Sequence, residues 1–148
     1  MELRKDYLTN DWVIIAVTRG KRPHQFMQQK ESKSVGVCYF CPGNENTTPP
    51  ETGRIEENGK WLMRWFPNKF PAVGSEGDPS IYIENTFYTY GTAVGFHEVI
   101  VESPNHEDEL ACLPAEQIKK LLDIYSERMT ILSEQPNVSY VQVFKNHG

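Results

Sequence analysis

Two cysteines separated by two residues, Cys38 and Cys41, are the pair whose type and spacing most directly indicate chemistry. Two thiolates at this spacing can both reach one tetrahedral metal ion, with zinc about 2.3 Å from each sulfur. A redox dithiol has the same spacing, but the thioredoxin type opens a helix, which Pro42-Gly43-Asn44 disfavours here. We therefore favour a metal site over a redox site, and two unconnected buried cysteines are the third interpretation.

A zinc site needs more ligands than this pair supplies, and the remaining candidates are Cys112 and the histidines. Cys112 lies in a short apolar stretch and is interpreted as a core residue. His106 follows Ser103-Pro104-Asn105, just past a predicted strand, where a loop can turn a ligand inward. His97 lies within that strand, so spacing alone ranks His106 only slightly above it. Three good ligands are expected, and the fourth is undefined.

Two other clusters have residue types that suit a nucleotide or a sugar phosphate. Arg19 and Arg22 lie in one basic turn, and arginine forks suit phosphate oxygens, although a solvated turn is the simpler interpretation. Residues 65–71 place three aromatic side chains around Asn68 and Lys69. Aromatic rings can hold a base or a sugar, but a strand end packed into the core would explain this segment equally well.

Strands must position most of these residues. The apolar, β-branched run Trp12–Val17 predicts a buried strand. Asn58-Gly59 predicts the turn of a hairpin that spans residues 54–66. Further extended segments are predicted at residues 80–84, 86–90, 96–102 and 138–144.

One helix is predicted between the sixth and last of these strands, over residues 114–134, where apolar residues recur at three- and four-residue steps. The apolar stripe consists of Ile118, Leu121, Leu122, Tyr125, Met129 and Leu132. Strands followed by one amphipathic helix indicate an α+β fold, with an antiparallel sheet covered by the helix on one face. Residues 1–148 are expected to form a single domain that is incomplete at its C-terminal end, because the chain stops directly after a predicted strand.

The composition excludes several classes of protein. A net charge of −5 argues against a basic nucleic-acid-binding protein. No apolar run approaches the length that spans a membrane, and the N-terminus lacks the apolar region of a signal peptide. A cytoplasmic location is therefore the default expectation, and an odd count of three cysteines argues against a disulfide framework.

Taken together and in order, these segments resemble the N-terminal part of galactose-1-phosphate uridylyltransferases, over essentially the whole chain. Six segments carry the resemblance: residues 4–12, 19–23, 38–44, 66–71, 97–106 and 141–148. The resemblance implies a fold of the histidine-triad superfamily, in which an antiparallel half-barrel packs against a helix. Six motifs in family order are far more specific than any one of them.

The resemblance also implies residue roles. It implies zinc held by Cys38, Cys41 and the histidine of the Ser-Pro-x-His segment, His106, with a fourth ligand from a later His-Pro-His motif. It implies a nucleotide-sugar pocket formed by Arg22, Tyr39, Phe40, Phe66, Asn68, Phe70 and Asn146, with Arg19 nearby. The implied zinc is structural, because its ligand set would be full.

The activity that the resemblance implies is uridylyl transfer from UDP-glucose to galactose 1-phosphate through a uridylyl-histidine intermediate. No His-Pro-His occurs before Gly148, so the nucleophile and the fourth zinc ligand are expected beyond it, and this chain alone is expected to be inactive. A homodimer is implied for the full-length protein. Lys69 and residues 42–51 together resemble a sub-branch of the family that includes adenylyltransferase-like members. An ADP-sugar adenylyltransferase or phosphorylase is therefore the alternative activity. A non-catalytic zinc-stabilised nucleotide-binding module is the other alternative.

Overall fold

The computed structural model of the protein describes residues 1–21 and 38–146. Short strands dominate these ranges, joined by three 3-10 helices at Val17–Lys21, Glu45–Thr47 and Leu110–Cys112. The strands are β1 (Glu2–Lys5), β2 (Trp12–Ile15), β3 (Gly53–Glu57), β4 (Lys60–Pro67), β5 (Ile81–Asn85), β6 (Tyr88–Thr92) and β7 (Glu98–Val101). The helix is α1 (Ala115–Ser133). No helix in the described ranges is both long enough and apolar enough to span a bilayer.

The strands form two antiparallel sheets. One has four strands in the order β2-β1-β6-β5, and the other has three in the order β3-β4-β7. The predicted α+β class, with antiparallel strands and one α-helix, is confirmed for the described residues. β1 had not been predicted, because its sequence Glu-Leu-Arg-Lys carries only one apolar residue.

The predicted hairpin is confirmed as β3 and β4. Asn58 and Gly59 have φ angles of 52° and 74°, the left-handed pair that a two-residue hairpin turn requires. β4 then pairs on its other side with β7, where Phe66 lies opposite Val99. β4 is therefore the central strand of its sheet, and its side chains from Trp61 to Phe66, apart from the half-buried Leu62, are buried.

The apolar core lies between this sheet and α1. It consists of Met63, Trp65, Leu121 and Ile124. The predicted helix bounds are confirmed, but the predicted stripe was wrong in part, since Leu122 is 57% exposed and Ile124 is 3% exposed. Leu122 is one residue, or about 100° of rotation, beyond Leu121, and this turns it away from the sheet.

The expectation that Trp12–Val17 is a buried strand was wrong. The strand ends at Ile15, and Trp12, Val13 and Ile14 are 43%, 50% and 47% exposed. β2 is an edge strand that pairs only with β1 in the described chain. Neighbouring residues point to opposite faces of a sheet, so exposure of all three shows that both faces are open at this edge.

Two C-terminal expectations were also wrong. Residues 138–144 form no strand, because none of the described strands pairs with them, and Tyr140 and Phe144 are exposed. Cys112 is exposed rather than part of the core. Cys112 ends the short 3-10 helix that begins at Leu110, and it is Leu110 that packs against the core cluster.

Replacement of Gly53 by alanine is expected to destabilise the hairpin. A Cβ atom at this position would lie 2.4 Å from the indole ring of Trp65, its partner across the β3–β4 ladder. Moving a packed indole costs about 1–3 kcal/mol of unfolding free energy. Gly20→Ala is the matched control, since no described atom lies within 4 Å of its Cβ. Equal midpoints in urea for both variants would contradict this explanation.

Candidate metal and nucleotide site

Cys38, Cys41 and His106 form the single cluster of potential metal ligands found in the described residues. Their ligand atoms all lie within 4.8 Å of one another, and Cys41 Sγ is 3.4 Å from Nδ1 of His106. The cysteines lie in the loop before β3, and the histidine lies in the loop after β7. Because β3 and β7 flank β4 in one sheet, that sheet brings together residues 65 positions apart.

The cysteine loop is fixed by side-chain contacts to its own backbone and to β4. The Asn44 side-chain amide donates to the Cys38 carbonyl at 2.9 Å. Glu45 accepts the Gly43 N–H at 2.9 Å through one carboxylate oxygen and the Trp61 indole N–H at 2.7 Å through the other. The pKa of Glu45 is lowered, chiefly by its own backbone N–H and then by the Trp61 indole. An ionised Glu45 therefore ties the loop to the central strand.

The loop that carries His106 is closed by Asp108. Its carboxylate accepts the Ser103 hydroxyl at 2.5 Å and the Asn105 side-chain amide at 2.7 Å. The Asp108 N–H in turn donates to the Asn105 carbonyl at 3.3 Å. These bonds bracket His106 on both sides, so its imidazole is presented from a compact turn.

The two cysteines differ in acidity. Burial raises the pKa of Cys38, but hydrogen bonds from the Phe40 N–H, Cys41 and His106 outweigh it, and the net pKa is lowered. The pKa of Cys41 is raised, first by desolvation and then by the neighbouring Cys38 sulfur. The contacts of Cys38 therefore favour its thiolate, the form that binds metal.

The donor set fits zinc. Cysteine sulfur and histidine nitrogen are the usual ligands of structural zinc sites, which hold four of them at metal–ligand distances of about 2.0–2.3 Å. This cluster supplies three. Tetrahedral geometry at those lengths puts neighbouring ligand atoms about 3.6 Å apart, close to the observed 3.4 Å between Cys41 and His106. A group that could bind a metal is therefore present in this chain.

His97 is engaged elsewhere. Its Nδ1 accepts the Ala72 N–H at 3.0 Å, and its Nε2 lies 3.1 Å from the Asn68 side-chain amide. The Asn68 N–H also donates to the His97 carbonyl at 2.7 Å. Both ring nitrogens are thus occupied by the segment that follows β4, which distinguishes His97 from His106 where spacing could not.

Two of the aromatic residues predicted for a nucleotide pocket meet beside the cluster of potential metal ligands. The rings of Phe40 and Phe66 stack with centroids 6.2 Å apart, and Phe66 is buried while Phe40 is exposed. Asn68 follows Phe66 by two residues and accepts the Phe70 N–H at 2.8 Å. Phe40 and all three potential metal ligands line one cavity of about 310 Å³.

The other predicted pocket residues are more dispersed. Tyr39 is exposed between the cysteines, and Asn146 is exposed beside Lys145, which lines the cavity and contacts Glu102. Arg19 lies in the 3-10 helix that follows β2, an edge strand of the other sheet. Arg22 lies outside the described residues.

Sequence reasoning missed the residues that support the site. These are Glu45, Arg64 and Asp108, none of which is itself a potential ligand in the cluster. Arg64 carried a usable signal, because it is a lone charge between Leu62-Met63 and Trp65-Phe66 in an otherwise apolar strand. Asp108 carried none, since Glu107-Asp108-Glu109 reads as an ordinary solvated acidic run.

A small antiparallel α+β fold that brings a Cys-Cys-His cluster beside stacked aromatic residues can be compared with known families. The family described as "Galactose-1-phosphate uridyl transferase, N-terminal domain" matches residues 1–148. The chain therefore belongs to this family, as its sequence motifs predicted.

Individual relatives agree with this assignment. An ADP-glucose phosphorylase of Arabidopsis thaliana is 33% identical over 99% of this chain and 43% of its own length. A galactose-1-phosphate uridylyltransferase of Thermotoga maritima is 28% identical over 100% of this chain and 41% of its own. The chain thus spans about two-fifths of the length of these relatives.

Solved structures of a uridylyltransferase and of an ADP-glucose phosphorylase are also similar to this chain. A uridylyltransferase structure superposes with a TM-score of 0.63 at 30% identity, covering 95% of this chain and 38% of that one. The Arabidopsis thaliana ADP-glucose phosphorylase with bound ADP-glucose gives a TM-score of 0.55 at 28% identity, covering 95% and 41%. Both similarities extend across nearly the whole chain.

Proposed function

We propose that this chain is the N-terminal domain of a nucleotidyltransferase that moves a uridylyl group from UDP-glucose to a hexose 1-phosphate. The observation that carries the proposal is the position of the Cys38, Cys41 and His106 cluster directly beside the stacked rings of Phe40 and Phe66. Family membership over residues 1–148 supports it.

In this proposal a histidine beyond Gly148 attacks the α-phosphorus of UDP-glucose. A bond forms between phosphorus and the histidine nitrogen, and the bond to the bridging oxygen breaks, so that glucose 1-phosphate leaves with the electron pair. The phosphate oxygen of the hexose 1-phosphate then displaces the histidine and forms the new nucleotide sugar. Two transfers through a covalent intermediate replace one more difficult transfer.

The metal in this proposal is zinc with a structural role. Cys38, Cys41 and His106 would hold it, and when bound it would fix the two loops on either side of the cavity. The contacts of Glu45 and Asp108 orient these loops from outside the ligand set, as outer contacts commonly do at metal sites. The fourth ligand is proposed to come from beyond Gly148.

The binding residues are proposed to act on the base, the ribose and the phosphates. Phe40 offers exposed ring surface for the base, and the buried Phe66 ring supports Phe40 from behind. The Asn68 amide is held in place by Phe70 and His97. Tyr39, Phe70 and Asn146 would complete the pocket, with Arg19 and Arg22 supplying positive charge for phosphate oxygens.

A second candidate is adenylyl transfer from an ADP-sugar. It is favoured by the 33% identity to the Arabidopsis thaliana ADP-glucose phosphorylase, compared with 28% to the Thermotoga maritima uridylyltransferase. In both candidates a covalent nucleotidyl-histidine forms, so the domain described here would serve the same role. We further propose that the complete protein is a homodimer.

The test is intact mass spectrometry of the natively expressed protein after incubation with UDP-glucose and ADP-glucose together. A uridylyl adduct would support the first candidate, and an adenylyl adduct would support the second. Absence of any adduct, with metal bound, would contradict both candidates and leave a non-catalytic nucleotide-binding module.

Asn68→Ala is expected to lower kcat/KM for the preferred nucleotide sugar by about 10–100-fold, since one positioned polar contact is worth about 1.5–3 kcal/mol when charge is involved. Steady-state kinetics of the natively expressed protein checks this. Asn46→Ala is the matched control, because Asn46 is an exposed residue of the same type in the cysteine loop. Equal losses in the two variants would argue against a pocket at Asn68.

A further inference from the structure

Arg64 is a charged residue in the centre of an apolar strand. It is 0% exposed, and its neighbours along β4 are Met63 and Trp65, both in the core cluster. Its guanidinium carbon lies 4.9 Å from the centre of the Phe66 ring and 5.3 Å from that of Trp61. The charge is therefore enclosed by aromatic faces, an arrangement that stabilises a cation out of contact with water.

Among the described residues, every polar contact of the Arg64 side chain reaches the segment from Cys38 to Glu51. One terminal nitrogen donates to Thr48 Oγ1 at 3.0 Å and to Glu51 Oε1 at 3.2 Å. The other donates to the Phe40 carbonyl at 3.3 Å. A single rigid fork thus joins the cysteine turn to the stretch that leads into β3, and both are held against the central strand.

Stability alone does not account for an arginine at this position. Its Nε has no hydrogen-bond partner among the residues that the structure describes. Burying an ion pair such as Arg64–Glu51 costs desolvation energy, and apolar residues of similar size often serve stability as well or better. What an apolar residue cannot do is hold the Phe40 carbonyl in one place.

Phe40 connects the cluster of potential metal ligands to the ring of Phe66. It lies between Cys38 and Cys41, so any movement of the cysteine turn moves it. Its carbonyl binds Arg64, and its ring stacks on Phe66, whose ring also contacts the Arg64 guanidinium. Arg64, Phe40 and Phe66 are therefore in mutual contact.

We propose that Arg64 is a positioning residue that couples the metal site to the nucleotide pocket by fixing Phe40 between them. The proposal rests on the proposed function, because it assigns Phe40 and Phe66 to the pocket. With Arg64 present, metal binding orders the cysteine turn and so orders Phe40 for the nucleotide. Without it, the Phe40 carbonyl is no longer tied to β4, so an ordered cysteine turn no longer fixes the Phe40 ring against Phe66. Each site then binds independently and more weakly.

The experiment uses the natively expressed protein and two variants, Arg64→Met and Arg64→Lys. Methionine keeps an unbranched apolar stem, and lysine keeps the charge but not the fork that spans two partners. Arg54→Met is the matched control. Arg54 also pairs with Glu51, through the other carboxylate oxygen, but has no contact with Phe40 among the described interactions and is partly exposed. Arg54 stays beside Glu51 in the Arg64 variants, which limits the cost of removing its buried partner.

Two quantities are measured for each protein after its fold is checked by thermal unfolding. The first is the zinc dissociation constant, by competition with a chelator. The second is the dissociation constant for UDP-glucose and for ADP-glucose, each with zinc bound and with zinc removed. The ratio of nucleotide affinities with and without zinc is the coupling between the two sites.

Both Arg64 variants are expected to bind zinc about 10–100-fold more weakly, as is typical when an outer contact of a metal site is removed. The coupling ratio is expected to be well above one in the unmodified protein and in Arg54→Met, and to fall toward one in both Arg64 variants. Loss of coupling is the decisive result, since a merely structural residue would lower stability and leave the ratio unchanged.

Three outcomes would overturn the proposal. The first is an unchanged coupling ratio in the Arg64 variants, and the second is an equal loss of zinc affinity in Arg54→Met. The third is an affinity ratio of one in an unmodified protein that does bind a nucleotide sugar. This result would contradict the coupling and leave the proposed function intact. If the unmodified protein binds neither nucleotide sugar, the proposed function and the coupling are both contradicted. The zinc dissociation constants of the Arg64 variants would still test whether Arg64 positions the cysteine turn.

Discussion

Cys38→Ser, Cys41→Ser and His106→Ala are each expected to reduce bound zinc from about one ion per chain to a small fraction of that after dialysis. Each removes one of the three ligand atoms that lie within 4.8 Å of one another. Removing an outer contact at a metal site costs about 10–100-fold in affinity, so loss of a direct ligand should cost more than that. Elemental analysis of the natively expressed protein, after equilibration with a defined zinc buffer, measures the effect.

Cys112→Ser is the matched control for these variants. Cys112 is a free, exposed cysteine that does not belong to the cluster. Its replacement should leave the zinc content unchanged. Zinc content that is equal in Cys41→Ser and Cys112→Ser would show that the cluster is not the metal site.

Leu121→Ala is expected to lower the free energy of unfolding by about 2–5 kcal/mol, the range for removing a buried leucine side chain. Leu121 is 1% exposed and packs with Met63, Trp65 and Ile124 between α1 and the three-stranded sheet. Because α1 covers the sheet that supports both ligand loops, the midpoint for zinc release on denaturation should shift with unfolding. Urea denaturation followed by circular dichroism measures the change.

Leu122→Ala controls for helix propensity and for loss of a leucine at the next position. Leu122 is 57% exposed, so its truncation should change the free energy of unfolding by less than about 0.5 kcal/mol. If both variants lost the same stability, α1 would not be oriented with Leu121 toward the sheet.

Features specified by local sequence were predictable. Asn58-Gly59 specified the hairpin turn, because few other dipeptides adopt two consecutive left-handed residues. Periodicity and flanking prolines specified the helix to within one residue at either end. The cysteine spacing indicated two members of the cluster of potential metal ligands, and the resemblance to the family then favoured His106 over His97.

Features that depend on long-range packing were not predictable. The apolar run at Trp12–Ile15 has the composition of a core strand, yet its exposure is decided by what covers the sheet. Residues 138–144 have strand composition, but a strand also needs a partner with which to pair. The three contacts of Arg64 reach residues 13 to 24 positions away, so no local pattern could assign them.

The 65-residue separation between Cys41 and His106 would give a bound metal a topological role as well as a local one. A zinc ion bound by both would act as a cross-link that closes this loop, much as a disulfide does. Closing a loop of that length removes about 4 kcal/mol of chain entropy from the unfolded state, by the estimate used for disulfides. Removal of the zinc by a chelator would therefore restore this entropy to the unfolded chain. Much of the free energy of unfolding would then depend on the concentration of free zinc.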